Sequence, residues 1–172
     1  RPYRCTERVV AYGTASPPAS VAADALPAEI AALDGRPYLL FLSRIHPKKG
    51  LDLLLRAYAA AFAAQPGEPA RPVPALAIAG PCDDPAYLAH LQALADSLGL
   101  SSGAPAERST PRAVWTGMVG GDAKWATFQG CDAFVLPSHQ ENFGIAVVEA
   151  MACAKPVLIS DKVNIWREIE ED

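Results

Sequence analysis

The run Tyr38-Leu39-Leu40-Phe41-Leu42-Ser43 leads directly into Arg44-Ile45-His46-Pro47-Lys48-Lys49-Gly50, and then into Leu51-Asp52-Leu53-Leu54-Leu55-Arg56-Ala57-Tyr58 and a tail of alanines. The first piece is a brief, unbroken apolar run, the pattern of a strand buried on both faces of a parallel sheet. The last piece predicts a helix over Leu51–Ala64, closed by Gln65-Pro66-Gly67, a strong stop signal. Strand, polar loop and helix in that order open a βαβ unit, and the rest of the chain repeats the rhythm. Further strands are expected at Ala75–Ala79, Ala113–Thr116, Ala133–Leu136 and Val157–Ser160, each bounded by Gly, Pro, Ser or Asp. Between them the pattern predicts helices at Pro85–Leu98, Asp122–Gln129 and Phe143–Ala152. The second of the four helices opens on Asp83-Asp84-Pro85, which supplies capping carboxylates and a proline suited to a first turn, and ends at Gly99. The class this implies is α/β, a Rossmann-like open parallel sheet with helices on both faces and right-handed crossovers. Segments Pro66–Pro74 and Ser101–Pro111 read as surface loops.

Length and composition fit one soluble globular domain. The chain has 172 residues, 51% hydrophobic and 20% charged, enough apolar material for a full core and too little charge for disorder. A formal net charge of −4 argues against a nucleic-acid partner. The four cysteines, Cys5, Cys82, Cys131 and Cys153, are scattered without a C-x-x-C pair, which fits neither a disulfide framework nor a zinc site. Reduced thiols in a cytoplasmic protein are the simplest reading, with Cys131 and Cys153 in apolar runs where buried cysteine is common. No signal peptide or bilayer-spanning run is visible. Residues 1–30 form an uncertain lead-in, with Arg8-Val9-Val10-Ala11 as a possible strand, and residues 31–172 form the domain. Both ends are expected to be cut, since the chain opens on Arg1 and Asn164–Asp172 reads as a helix barely begun.

Ligands of open α/β sheets bind outside the carboxyl ends of the strands, so the chemistry is sought there. After the first strand, Arg44, His46, Lys48 and Lys49 crowd one loop that feeds a helix N-terminus. Free N–H groups and the helix dipole favour an anion at such a place, and the forked guanidinium grips phosphate oxygens. A phosphate or diphosphate ligand explains this concentration; a merely solvated loop is the alternative. After the fourth strand come Pro137-Ser138-His139-Gln140-Glu141-Asn142-Phe143-Gly144 and a helix apolar on every face except at Glu149. Such a helix should be buried on all sides, and its one carboxylate needs a donor partner. Glu149 leans back toward the helix N-terminus and the crevice that Glu141 flanks, where carboxylates can grip sugar hydroxyls. A core glutamate paired with a buried arginine or backbone donor is the other reading of Glu149, and a helix-cap neighbour that of Glu141. Gly144 lets backbone N–H groups approach a ligand. The glycine-rich turn Gly117-Met118-Val119-Gly120-Gly121 is either an apolar shelf for a base or an ordinary βα loop. His90 reads as a surface residue and Asp132 as a cap or turn residue.

From Tyr38 to about Asp161 these motifs, in this order, resemble the C-terminal domain of the family 4 (group 1) retaining glycosyltransferases. Leu42-Ser43-Arg44 with Lys49-Gly50 is similar to the family's G-R…K-G loop. Ala77-Ile78-Ala79-Gly80 and Val114-Trp115-Thr116-Gly117 match its next two strand ends. Pro137-Ser138…Glu141-Asn142-Phe143-Gly144…Glu149-Ala150-Met151-Ala152…Lys155-Pro156-Val157 looks like its E-x7-E motif with flanks. Ser43 and Asn142 stand where the family usually has glycine, which bears on the sugar contacts.

The resemblance implies one half of a two-domain GT-B enzyme that transfers a sugar from a nucleotide-diphosphate sugar with retention. Arg44, Lys49 and Glu141 would be catalytic. Arg44 and Lys49 would hold the donor diphosphate, with Ser43 beside them. Glu141 and the backbone of Asn142, Phe143, Gly144 and Ile145 would contact the sugar. Glu149 would hold the ribose, and Gly117, Met118 and Val119 would lie against the base. No cofactor or metal is expected, the basic side chains taking a metal's place. The partners implied are the nucleotide sugar and an absent N-terminal acceptor domain, through which alone a membrane could be engaged. The isolated chain would then bind nucleotide weakly and turn nothing over. A noncatalytic domain on the same fold is disfavoured by the presence of Arg44, Lys49, Glu141 and Glu149. A sugar phosphorylase or epimerase is the further alternative. A dinucleotide binder lacks its G-x-G-x-x-G after the first strand.

Overall fold

A computed structural model describes residues 13–63, 72–100 and 107–171. Five strands, β1 (Tyr38–Leu42), β2 (Ala75–Ala79), β3 (Ala113–Gly117), β4 (Ala133–Leu136) and β5 (Val157–Ile159), form one sheet in the order β3-β2-β1-β4-β5. Every pairing is parallel, with Tyr38 opposite Ala75, Leu76 opposite Ala113 and Phe134 opposite Val157. The helices are α1 (Ala28–Ala31), α2 (Leu51–Ala61), α3 (Pro85–Ser97), α4 (Gly121–Gly130), α5 (Ile145–Ala152) and α6 (Trp166–Glu171). The expected strand at Arg8–Ala11 lies outside the described residues, as do parts of the two expected surface loops.

Right-handed crossovers decide which face each helix covers. The chain moves outward from β1 to β2 to β3, so α2 and α3 lie on one face, where they touch. It then returns across the sheet to β4 and on to β5, which puts α4 and α5 on the opposite face. Phe128 on α4 packs against Phe134 of β4, the ring centroids 5.8 Å apart. Strand β2, covered on both sides, is wholly buried, as its unbroken apolar run requires. Asp84 caps α3, its carboxylate accepting from the N–H groups of Ala86 at 3.0 Å and Tyr87 at 3.1 Å, with Pro85 in the first turn. Asp132 is structural too: its Oδ2 accepts from the Tyr38 N–H at 2.8 Å and locks the start of β1 to that of β4. Ile30 and Leu33 belong to the core, so the segment around α1 packs with the domain.

Three expectations need correction. Helix α5 is not buried all round: Ile145 is 43% and Met151 39% exposed. Its apolar composition had suggested four covered sides, but it packs on β4 and β5 at one end of the sheet, and on another flank Val148 and Met151 open onto an apolar cavity shared with Ile165 and Ile169. For the same reason β5 is a half-covered edge strand, with Leu158 66% exposed. Cys153 is only partly buried, whereas Cys131 is buried; these two and Cys82 are free thiols. Element ends move by a few residues as well. Phe62 closes α2 before Ala64, and α5 begins at Ile145 because Gly144 adopts a left-handed conformation, φ +80°.

Candidate functional site

Strand order reverses between β1 and β4, one connection leading away to β2 and the other to β5, and a crevice opens where the two diverge. The loops after these two strands are joined. The His139 N–H donates to the Lys48 carbonyl at 2.8 Å. Gly50, at φ +66°, lies so close to Pro137 that a Cβ there would collide with the proline carbonyl oxygen. Only glycine meets both demands, and it sets the N-terminus of α2 against the end of β4.

Within the first loop, Pro47–Lys49 form a turn of 3-10 helix capped by His46, whose Nδ1 accepts from the Lys48 N–H at 3.1 Å. Lys49 is thereby turned across the crevice and forms an ion pair with Glu141. The second loop is braced from behind by residues past β5. The Glu141 N–H donates to the Lys162 carbonyl at 3.0 Å, and the Asn164 N–H to the Glu141 carbonyl at 3.1 Å. The chain then turns at Gly144 into α5, whose first N–H groups lack intrahelical acceptors and whose first residues, Ile145 and Ala146, line the crevice.

These pieces enclose a cavity of about 560 Å³ lined by Leu42, Ser43, Arg44, Lys49, Leu136, Glu141, Asn142, Phe143, Gly144, Ile145, Ala146 and Glu149. Nine of the residues named from sequence are among them: Ser43, Arg44, Lys49, Glu141, Asn142, Phe143, Gly144, Ile145 and Glu149. Gly117, Met118 and Val119 are not. Gly117 ends β3 and Met118 and Val119 follow it, separated from β1 by β2, and Met118 is 77% exposed there. Their place at the strand ends is as expected, but the cavity does not reach them.

Glu149 is 7% exposed. Its Oε1 accepts from Lys124 Nζ of α4 at 2.7 Å and from Thr14 Oγ1 at 3.2 Å, while Oε2 has no partner among the described residues. It is at once a paired carboxylate and part of the cavity wall, its donors being a lysine and a threonine rather than the arginine or backbone donor of the alternative reading. Sequence reasoning missed Lys124 and Thr14. Lys124 lies over the Trp125 ring, 4.4 Å from its centroid, and that ring helps hold the ammonium in place. Neither residue carries a local signal, because both reach Glu149 only through folding.

Chemically, the cavity offers a guanidinium, an ammonium and a helix N-terminus with a left-handed glycine. Two carboxylates able to accept from hydroxyls complete it. The set suits an anion joined to a polyol. Among the described residues no cluster of His, Cys, Asp and Glu suits a metal ion. None of the described helices is long and apolar enough to cross a membrane.

The family description "Glycosyl transferases group 1" matches residues 23–172. A D-inositol 3-phosphate glycosyltransferase of Jonesia denitrificans is 34% identical over 128 residues, covering 72% of this chain and 26% of that protein. Among solved structures, Anabaena HepE in complex with UDP and glucose superposes with a TM-score of 0.64 at 20% identity, over 85% of this chain and 36% of that one. Sucrose-phosphate synthase of Thermosynechococcus elongatus superposes with a TM-score of 0.63 at 24% identity, over 86% of this chain and 33% of that one. The structural likenesses show the fold, which is the one the resemblance implied. The chain spans about a quarter of the length of the curated relatives it matches. With the family description spanning residues 23–172 and the relative more than 30% identical, the chain belongs to the group 1 glycosyl transferases.

Proposed function

We propose that this chain is the donor-binding domain of a glycosyltransferase that moves a sugar from a nucleotide diphosphate to an acceptor with retention of configuration. One observation carries the reading: a single cavity gathers Arg44, Lys49, Glu141, the N-terminus of α5 and Glu149. Arg44 and Lys49 hold the diphosphate. Glu141 and the backbone from Asn142 to Ile145 hold the sugar, and the free Oε2 of Glu149 takes the ribose hydroxyls. As the anomeric carbon–oxygen bond breaks, its electron pair passes to the phosphate oxygen, where the two cations meet the growing charge. The acceptor hydroxyl attacks from the same face and gives its proton to a donor phosphate oxygen, so no side chain has to act as base. In this reading the charge stabilisation falls to Arg44 and Lys49 rather than to a metal. Gly117, Met118 and Val119 approach the base only when ligand extends beyond the cavity toward β3.

The acceptor side is assigned to chain beyond these residues, in keeping with a relative of which the matched segment is 26%. We expect the 172-residue chain to bind nucleotide weakly without turnover. A cytoplasmic site of action follows from the same reading, since nucleotide sugars serve as its donors.

The test is a titration with UDP, GDP, ADP and their glucose and mannose conjugates, run beside Glu149→Ala and Arg44→Ala. UDP comes first, because the solved HepE complex contains it. Binding of one nucleotide that both substitutions abolish supports the donor site. Equal binding by all three proteins removes it.

A further inference from the structure

The lead-in from Gly13 to Ala22 forms no helix or strand, yet side chains of the domain hold it at two points. Gln129 Nε2 of α4 donates to the Pro18 carbonyl at 2.9 Å. Thr14 Oγ1 donates to Glu149 Oε1 at 3.2 Å, across 135 positions of sequence. The turn of 3-10 helix that follows, Ala23–Ala25, also packs on α4. The segment therefore lies against α4 and reaches α5 at the carboxylate of Glu149. The function proposed above gives Thr14 no part, and the residue precedes the stretch 23–172 that the family description matches.

Lys124 Nζ donates to the same Glu149 oxygen at 2.7 Å. An ammonium by itself orients a carboxylate poorly, being a compact charge on a flexible stem. The terminal torsion of a glutamate is also broad, so one donor leaves the group free to turn. A second donor on the same oxygen, brought by a different part of the chain, fixes its plane. Glu149 lines the cavity whereas Thr14 and Lys124 do not, so both donors hold the carboxylate from behind. We propose that Thr14 is a positioning residue that turns Glu149 so that Oε2 meets the paired hydroxyls of a bound ribose. The inference rests on the donor-site reading, in which Glu149 takes the ribose, and adds how ribose is told from 2′-deoxyribose. A carboxylate free to turn follows whichever hydroxyl is present and discriminates little. One held in advance loses a hydrogen bond when a hydroxyl is missing.

The experiment is a calorimetric titration of the 172-residue chain with UDP, GDP and ADP, each beside its 2′-deoxy counterpart. The variants are Thr14→Val, which replaces the hydroxyl by a methyl, Thr14→Ser, which keeps it, and Gln129→Ala, which frees the lead-in at Pro18 and alters no residue of the cavity. For the nucleotide that binds, the unmodified chain is expected to prefer the ribose form by about tenfold, as a hydrogen bond to a charged group provides. Thr14→Val should cut that preference to about threefold. Thr14→Ser should keep it, and Gln129→Ala should fall between the two. A general loss of stability would weaken both forms alike and leave their ratio unmoved. An undiminished preference in Thr14→Val overturns the proposal and leaves the donor reading in place. Tighter binding of the ribose form in that variant overturns it as well, since Thr14 would then occupy the place of a ribose hydroxyl. If the unmodified chain shows no preference, or binds none of the three nucleotides, the ribose role of Glu149 fails, and the proposal fails with it.

Discussion

Lys124 Nζ stands 2.7 Å from Glu149 Oε1, joining α4 to α5 beneath the cavity. The pair is part-buried, with side-chain exposures of 25% and 9%, so the carboxylate depends on its cation. It also orients the group: with Oε1 held by Lys124 and Thr14, Oε2 is left without a partner among the described residues.

Removing the cation should therefore cost stability and binding together. Lys124→Met is expected to destabilise the fold by about 1–3 kcal/mol, the cost of stranding a buried acceptor. Adding Glu149→Gln should recover most of that stability, because no charge remains buried, yet should not restore nucleotide affinity. Denaturant unfolding and UDP titration of both single variants and the double measure this. Recovery of binding along with stability would mean that Glu149 serves only the core.

The pairing of Lys49 with Glu141 sets two residues of the proposed donor site against each other. Glu141→Gln releases Lys49 for the diphosphate. UDP, which has no sugar to lose contact with, should bind about as tightly as before or up to tenfold more tightly, a gain of about 1.4 kcal/mol. In a longer polypeptide that joins this chain to the proposed acceptor domain, the same substitution should lower kcat, if Glu141 holds the transferred sugar as proposed. Calorimetry with UDP and steady-state kinetics check the two halves, and a tenfold loss of UDP affinity would contradict the first.

Ala154 closes α5 in a left-handed conformation, φ +55°, with the Lys155 N–H bonded to the Ala150 carbonyl at 3.0 Å. Any residue with a Cβ is strained there by about 1–2 kcal/mol, and glycine is the usual occupant of such a helix end. Ala154→Gly should raise stability by about 1 kcal/mol without altering UDP binding, read as a higher denaturation midpoint at unchanged slope. Gly50→Ala should do the opposite and also impair UDP binding, because relief of its collision with Pro137 has to move the loop that carries Lys49.

Burial pushes the Cys131 thiol up to about 11, from an ordinary value near 9. The folded state then holds its proton where the unfolded chain has lost it. Stability is full below about pH 9 and falls as pH rises through about 11. Burial pushes the hydroxyls of Tyr38 and Tyr58 upward too, so their contributions share that sign and begin to fall above the ordinary value of 10.0. Cys131→Ala should flatten the decline between these limits in a denaturation series, while a profile identical to that of the parent chain would assign the alkaline loss elsewhere.

The sequence by itself determined the class of fold, the placement of most elements and the cluster of candidate residues. Apolar runs, caps and stop signals act between near neighbours in the chain, so β1, α2, α3 and the cap at Asp84 could be read directly. Local too are the cations between Arg44 and Lys49 and the spacing from Glu141 to Glu149. Such features survive without knowledge of what packs on what.

Tertiary structure alone decided how these pieces meet. The order β3-β2-β1-β4-β5 brings the loop after β1 against the loop after β4, and so pairs Lys49 with a glutamate 92 positions away. It carries Lys124 and Thr14 to Glu149 and sets Lys162 and Asn164 behind Glu141. It leaves Gly117, Met118 and Val119 outside the cavity, and one flank of α5 exposed. Each of these depends on strand order and crossover direction. Those are settled by burying the whole apolar surface at once, and no single stretch of chain encodes them.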